Sequence, residues 1–217
     1  MSRQILDEII GKVREGILKL SKITKRAVNL SIEALKEENT EKAREVDMLE
    51  KESDLLNLEI ENLIMEAAAR HQPVAGDLRF LHSMLKISSN YERVSDISQK
   101  IAGLKQRGIR ELFKKPLESI AEIKGLIVKM IELNERAIID HSTEPIKQLH
   151  KLDDQIDKLH RKACNELMDI MLKDPKTIPG AVNLLFVVRY LERIGDIVAK
   201  SGARIVYAIE GKRVWIK

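Results

Sequence analysis

The sequence is poor in cysteine, proline, glycine and aromatic residues, and these shortages exclude several classes of protein. Its 217 residues include a single cysteine, Cys164, so no disulfide can form within the chain. Aromatic residues make up only 3% of the chain, which argues against a β-sandwich or barrel because strands draw on aromatic side chains. The five prolines and ten glycines leave long uninterrupted segments, and 44% hydrophobic with 33% charged residues is typical of a soluble all-α protein.

Long apolar runs and an excess of one charge are also missing. No apolar run approaches the roughly 18 residues that a membrane span requires, and the N-terminus has no signal-peptide core. We therefore expect a cytoplasmic protein without membrane insertion, as the cysteine content also favours. The formal net charge is only +4, with basic and acidic residues interleaved, so nucleic-acid binding is not expected.

Apolar residues recur every three or four positions through six long segments, which is the period of an amphipathic helix. Short connections make sequential helices antiparallel neighbours. Thr40 is the predicted N-cap of the second helix, Pro145 is suited to the first position of the fifth, and Pro179 and Gly180 belong to a predicted break. The predicted helices cover about 2–36, 41–70, 76–106, 113–141, 145–173 and 181–210.

The second set of three helices repeats the plan of the first. Tyr91–Asp96 reads Y-E-R-V-S-D, and it recurs 100 residues later as L-E-R-I-G-D at Leu191–Asp196. Both copies lie on the third helix of their set, which indicates an internal duplication. We predict an all-α fold of two tandem three-helix bundles, the first formed by residues 1–108 and the second by residues 109–217.

Acidic residues four positions apart on a helix project from one face, and both halves carry such pairs. On a helical wheel Glu192 and Asp196 interrupt an apolar row, where a carboxylate is costly unless a cation, a metal or hydrogen-bond donors accompany it. Each bundle can bring two pairs toward one another from facing helices. The pairs are Glu50/Asp54 and Asp153/Asp157 on the second helices, and Glu92/Asp96 and Glu192/Asp196 on the third.

Several interpretations of these pairs are open. Carboxylates from facing helices suit hard cations or iron, and His160 can add a nitrogen ligand. Acidic residues at this spacing more often form a solvated face or pair with Lys and Arg. Arg93 and Arg193 directly follow the motif glutamates and can pair with a neighbouring helix or contact a partner protein. Cys164 is expected to be a small buried apolar residue.

Nothing in the sequence forms a catalytic constellation, and we predict that the chain is not an enzyme. It has no Gly-rich phosphate loop. It also lacks the Glu-x-x-His spacing of ferritin-like iron sites, which disfavours a carboxylate-bridged iron enzyme or an iron buffer.

Three stretches of the chain resemble the PhoU family, cytoplasmic regulators of phosphate uptake. They read R-H-Q-P-V-A-G-D-L-R at Arg70–Arg79, Y-E-R-V-S-D at Tyr91–Asp96 and L-L-F-V-V-R-Y-L-E-R-I-G-D at Leu184–Asp196. The resemblance covers essentially the whole chain and implies two three-helix bundles that bind multinuclear metal clusters, iron in particular, on their surface. We expect the metal to be iron or zinc. Carried over by position, the implied ligands are Glu50, Asp54, Glu92, Asp96, Asp153, Asp157, Glu192 and Asp196.

The resemblance also implies a function. It is negative regulation of phosphate uptake and of phosphate-starvation signalling, through contact with the ATPase subunit of a phosphate ABC transporter and with a sensor histidine kinase. We also expect the chain to form a homo-oligomer such as a dimer. The alternative is a PhoU-like accessory metal-binding protein that serves another transporter or signalling pathway.

Three positions depart from the pattern of the family. Ile197 follows the second motif aspartate, where members often carry a polar residue, and Lys100 and Lys200 stand where members often carry Asn. A lysine one helical turn beyond each motif aspartate can neutralise it without a metal.

Overall fold

The computed structural model describes residues 2–104 and 113–216, and these ranges contain six long α-helices, two short 3-10 helices and no β-strand. The predicted boundary between the halves, at residue 108, lies outside the described residues. The 3-10 helices are Glu144–Gln148 and Pro175–Thr177. The α-helices are α1 (Ser2–Glu37), α2 (Thr40–His71), α3 (Ala75–Ala102), α4 (Lys114–Ile139), α5 (Leu149–Lys173) and α6 (Ile178–Glu210).

The helices form two three-helix bundles, as predicted. Helices α1, α2 and α3 pack on one another, and α4, α5 and α6 do the same. The two bundles meet where α3 packs on α6 and α1 packs on α4. One hydrophobic core runs through both, because each helix turns an apolar stripe inward; on α1, for example, Val13, Ile17 and Leu20 have no exposed surface. The motif helices α3 and α6 therefore lie at the centre of the molecule.

The start of α2 differs from the prediction, which placed the N-cap at Thr40. The N-cap is Asn39, whose side-chain oxygen accepts hydrogen bonds from the backbone N–H of Glu41 at 2.9 Å and of Lys42 at 3.1 Å. Thr40 is instead the first residue of the helix. Asn is at least as effective an N-cap as Thr, because its oxygen reaches N–H groups that have no partner within the helix.

Two predictions about proline are wrong. Pro145 does not open α5; it lies in the 3-10 helix Glu144–Gln148, and α5 begins after it at Leu149. Pro179 and Gly180 do not interrupt the chain before α6, because they lie in its first turn. A proline is tolerated there, since its missing N–H would have had no partner within the helix.

The third helix ends earlier than predicted. It stops at Ala102, and the N–H of Gly103 closes the last turn on the carbonyl oxygen of Gln99 at 3.0 Å. The predicted end at residue 106 lies outside the described residues. Within the described part of the chain, no helix is both long enough and apolar enough to cross a membrane.

Candidate functional site

The packing of α2 against α3 brings together the four acidic residues of the first half. Glu50, Asp54, Glu92 and Asp96 are named here the first acidic cluster. Burial raises the pKa of Glu50, and the charges of Asp54 and Asp96 raise it further. The pKa of Glu92 is raised by burial and then by Asp54, Asp96 and Glu50. The pKa of each glutamate is therefore raised by carboxylates on both helices.

The second half repeats this arrangement between α5 and α6. Asp153, Asp157, Glu192 and Asp196 are named here the second acidic cluster. Asp153 is only 8% exposed. Burial raises its pKa from 3.8 to about 6, and the charges of Asp196, Asp157, Asp154 and Glu192 contribute in that order. The negative charge around Asp153, the most buried carboxylate of this cluster, is therefore not balanced by neighbouring positive charge.

Gly195, the fifth residue of the second motif, lies beside Asp153. A Cβ atom added at Gly195 would lie 3.0 Å from Ile156 Cδ1 and 3.8 Å from Asp153 Oδ1. The missing side chain thus lets α6 come close to α5 at the level of Asp153. The first half has Ser95 at the equivalent position, where its hydroxyl donates to the carbonyl oxygen of Tyr91 at 3.3 Å.

The two lysines beyond the motifs contact the motif aspartates, as predicted. Lys100 Nζ lies 2.9 Å from Asp96 Oδ2, and Lys200 Nζ lies 3.1 Å from Asp196 Oδ2. Both lysines are more than half exposed, and ion pairs of this kind contribute only a few tenths of a kcal/mol. The other carboxylates of the clusters still repel one another, since the pKa of Asp153 remains raised.

Whether the clusters fit a metal depends on their charge and on their side-chain positions. Eight carboxylates in two groups supply only oxygen donors, which suit hard cations. Within residues 2–104 and 113–216, however, no three His, Cys, Asp or Glu side chains are arranged to hold a metal ion. The charge and donor chemistry therefore fit a cation, while ligation requires new side-chain rotamers. The assignment of the eight residues as ligands stays a prediction.

His160, considered as an added ligand, lies near Cys164. Cys164 Sγ is 3.8 Å from His160 Nε2. The cysteine is half-buried against the core rather than fully buried, and burial raises the pKa of its thiol. A thiol with a raised pKa remains protonated at neutral pH and is a poor metal ligand.

The motif arginines, Arg93 and Arg193, meet at one cleft between the two halves. Both are exposed, and one comes from each copy of the motif. The cleft has a volume of about 340 Å³ and is lined by Glu92, Arg93, Asp96, Ile97, Lys100, Tyr190 and Arg193. Side chains of both charges from the two repeats are thus presented together at the junction of α3 and α6.

Two polar contacts between helices were not predicted from the sequence: the first joins the two halves, and the second lies within the second half. Lys25 Nζ on α1 lies 2.7 Å from Glu135 Oε2 on α4. The side chain of Asn134 donates from Nδ2 to the Val198 carbonyl oxygen on α6 at 3.0 Å. Asn134 is fully buried in the apolar stripe of α4. The sequence signal for this contact was a polar residue, Asn134, within the apolar row of α4.

We expect Lys25→Ala to lower the free energy of unfolding by about 1–2 kcal/mol, because it leaves the Glu135 carboxylate poorly solvated and without its cation. The two side chains are only 21% and 14% exposed. Urea denaturation measures the change. Lys19→Ala is the matched control, since Lys19 pairs with Glu52 at 3.4 Å on the open surface and its loss should cost less than about 0.5 kcal/mol. Equal effects of the two substitutions would contradict the role given to the Lys25–Glu135 pair.

A family model for the PhoU domain matches the chain twice, at residues 17–104 and 120–205. This chain belongs to the PhoU family. The two matches correspond to the bundles α1–α3 and α4–α6, so each PhoU domain contributes one acidic cluster. The resemblance stated from the three sequence stretches is confirmed.

Relatives with the PhoU name match nearly the full length of the chain. One, from Aquifex aeolicus (strain VF5), is called a phosphate-specific transport system accessory protein PhoU homolog; it is 32% identical over 205 residues, which are 94% of this chain and 93% of the relative. A protein of the same name from Archaeoglobus fulgidus is 31% identical over 213 residues, which are 97% of this chain and 98% of the relative.

Solved PhoU structures confirm the fold. The crystal structure of PhoU from Pseudomonas aeruginosa superposes with a TM-score of 0.85 at 24% identity, covering 95% of this chain and 99% of that one. The phosphate transport system regulatory protein PhoU from Streptococcus pneumoniae gives a TM-score of 0.81 at 22% identity, covering 97% and 99%. The paired three-helix bundles are therefore the architecture of the family.

Proposed function

We propose that this chain is an accessory regulator of phosphate transport. The observation that carries the proposal is the full-length match to proteins named phosphate-specific transport system accessory protein PhoU homolog, at 31–32% identity and more than nine-tenths coverage of both chains. The two matches of the PhoU domain, at residues 17–104 and 120–205, support the same conclusion because together they cover most of the chain.

The proposed regulation works through protein contact. In the cytoplasm the chain docks on the ATPase subunit of a phosphate ABC transporter and on a sensor histidine kinase, and it represses phosphate uptake and phosphate-starvation signalling when phosphate is plentiful. The hydrophobic core that runs through both bundles supports this mode, because it packs the two halves firmly against each other. Self-association as a dimer remains part of the proposal.

The acidic clusters supply a second element of the proposal, a binding site in each half for a cation that accepts carboxylate ligands, with iron or zinc as the candidates. The raised pKa of Asp153 supports it, because four neighbouring carboxylates act on that side chain without an equal positive charge. A bound cation would supply that charge. The residues proposed to hold it are Glu50, Asp54, Glu92 and Asp96 in the first half, and Asp153, Asp157, Glu192 and Asp196 in the second.

Deletion of the gene in its source organism tests the regulatory proposal. We expect a phosphate-starvation reporter to stay active in phosphate-rich medium and the wild-type gene on a plasmid to silence it. Uptake of radiolabelled phosphate, measured in the same cells, should rise in the deletion strain. A silent reporter together with unchanged phosphate uptake would contradict the proposal.

The alternative function is that of a PhoU-like metal-binding accessory protein of another transporter or signalling pathway. The observation that favours it is the pair of acidic clusters, which are independent of any phosphate chemistry. Its signature in the deletion strain would be normal phosphate uptake with altered uptake of a different solute.

A further inference from the structure

The outer face of α2 carries an apolar stripe that the fold leaves exposed. Its members are Met48, Leu55, Leu58 and Met65, whose side chains are between 54% and 64% exposed. These residues lie opposite the buried face of the helix, which includes Val46, Leu49, Leu56, Ile60, Ile64 and Ala67. The four residues are named here the α2 stripe. They contribute nothing to the core of the bundle.

The spacing of the α2 stripe is that of a helix-pairing seam. Its members are separated by seven, three and seven positions, which are the intervals between a and d positions of a heptad repeat. Lys51 and Asn62 occupy the two remaining seam positions. Asn62 lies at an a position, where a polar residue fixes the register of pairing at a cost in stability. An a/d seam fits the apolar face of one other helix.

Acidic residues border the α2 stripe on both sides at intervals of seven. Asp47, Asp54 and Glu61 form one row, and Glu52, Glu59 and Glu66 form the other; all six are exposed. Lys19 lies 3.4 Å from Glu52 and Arg70 lies 3.4 Å from Glu66, both on the open surface, and Asp54 also belongs to the first acidic cluster. These rows occupy the g and e positions, where charges select the partner helix. Two copies of this surface would place carboxylates against carboxylates, and an anionic membrane would also be repelled. Charge complementarity therefore favours a partner helix with basic borders.

The duplication shows that the scaffold does not require the α2 stripe. Matching Asp54 with Asp157 places Met168, which is 47% exposed, at the position of Met65. At the positions of Met48, Leu55 and Leu58 it places three basic residues of α5, Lys151, Lys158 and Arg161. All three basic residues are exposed. Three of the four equivalent positions in the other bundle are therefore charged, as expected for a solvated face. At three of the four stripe positions the apolar residue is therefore a property of the first half alone, which indicates a role other than folding.

We propose that the α2 stripe is a docking surface for an amphipathic helix of another protein, with an apolar face bordered by Lys and Arg. The apolar face of that helix would cover the four stripe residues, and its basic borders would lie against the two acidic rows. The inference rests on α2 alone and does not depend on the proposed regulation of phosphate transport.

A designed helical peptide of about three heptads, with Leu at a and d and with Lys or Arg at e and g, is the probe. Its binding to the full chain is followed by fluorescence anisotropy at about 0.15 M salt. We expect it to bind, and we expect the same peptide with Glu at e and g to bind about tenfold or more weakly. Equal binding of the two peptides would overturn the proposal.

The triple substitution Met48→Gln/Leu55→Gln/Leu58→Gln removes the apolar seam without changing the charge. It should weaken binding of the basic peptide by about tenfold or more. The control Ile139→Gln/Leu172→Gln removes two apolar side chains that are 60% and 82% exposed elsewhere and should leave binding unchanged. Unaltered urea midpoints show that both variants are folded. Undiminished peptide binding by the triple variant would mean that the acidic rows act alone and would refute the seam.

Two further measurements distinguish other occupants of the α2 stripe. Light scattering reports the oligomeric state, and a wild-type dimer that the triple substitution converts to a monomer would assign the stripe to self-association and overturn the proposal. Sedimentation with vesicles of phosphatidylglycerol and phosphatidylcholine should show no binding that depends on the stripe. Stripe-dependent vesicle binding would overturn it as well.

Discussion

The substitution Asp153→Asn should raise the free energy of unfolding of the metal-free protein by about 2 kcal/mol at neutral pH. Asp153 is buried, and its pKa in the folded chain is about 6 in place of 3.8. This difference corresponds to at most about 3 kcal/mol, which solvent screening of the neighbouring carboxylates reduces. Asn keeps the shape of the side chain and removes the buried charge. Urea denaturation in the presence of a chelator measures the change.

The gain from Asp153→Asn should depend on pH in one direction. Above about pH 6 the carboxylate is charged in both states of the wild type, and its burial opposes folding. As the pH falls from about 6 to 3.8 the folded protein takes up a proton before the unfolded chain does, so the wild type gains stability. The difference between the two proteins should therefore vanish below this range.

Asp169→Asn on the same helix provides the control for this prediction. Asp169 is exposed, so its replacement should change the free energy of unfolding by less than about 0.5 kcal/mol. The stability difference for Asp153→Asn could instead stay constant between neutral pH and pH 4, or the variant could lose stability at neutral pH. Either result would show that the buried charge of Asp153 does not destabilise the metal-free protein.

The substitution Gly202→Ala should destabilise the second bundle by about 1–3 kcal/mol, although alanine is the better helix former. A Cβ atom at this position of α6 would overlap Leu149 Cδ1 and would lie 2.9 Å from Asn134 Oδ1. Leu149 and Asn134 are fully buried, so neither side chain can move away without disturbing its neighbours. Thermal or urea denaturation measures the loss.

Gly125→Ala is the matched control for Gly202→Ala, because Gly125 also lies within a helix. A Cβ atom at Gly125 meets nothing within 4 Å, so alanine there should raise the free energy of unfolding by about 0.5–1 kcal/mol. Opposite signs at the two glycines are the expected result. A gain of stability at both positions would show that α6 is not held as closely against α4 and α5 as the structure places it.

The sequence predicted the six helices and the two bundles because the apolar period is strong in every helix and the motif repeats after 100 residues. It also predicted that Lys100 and Lys200 would contact Asp96 and Asp196, because residues four positions apart on a helix are neighbours whatever the tertiary structure. The helices and the two lysine contacts depend only on local geometry, and the two bundles follow from the repetition of the helical pattern.

Features that depend on how the helices approach one another could not be read from the sequence. Asp153 and Asp157 are both aspartates and form one pair four positions apart, yet Asp153 is buried and Asp157 is exposed. The difference arises where α6 comes close to α5 at Gly195. The pairing of Lys25 with Glu135 joins residues 110 positions apart, and no periodicity within one helix indicates such a partner.

Elemental analysis of the tag-free protein tests most directly whether the two acidic clusters hold metal ions. The wild type is compared with the variant Glu92→Gln/Asp96→Asn/Glu192→Gln/Asp196→Asn, and Asp169→Asn serves as the control that retains both clusters. We predict near-stoichiometric iron or zinc in the wild type and the control, and none in the fourfold variant. Absence of metal from all three proteins, with the variant folded, would contradict the metal sites and leave Lys100 and Lys200 as the cations that accompany the motif aspartates.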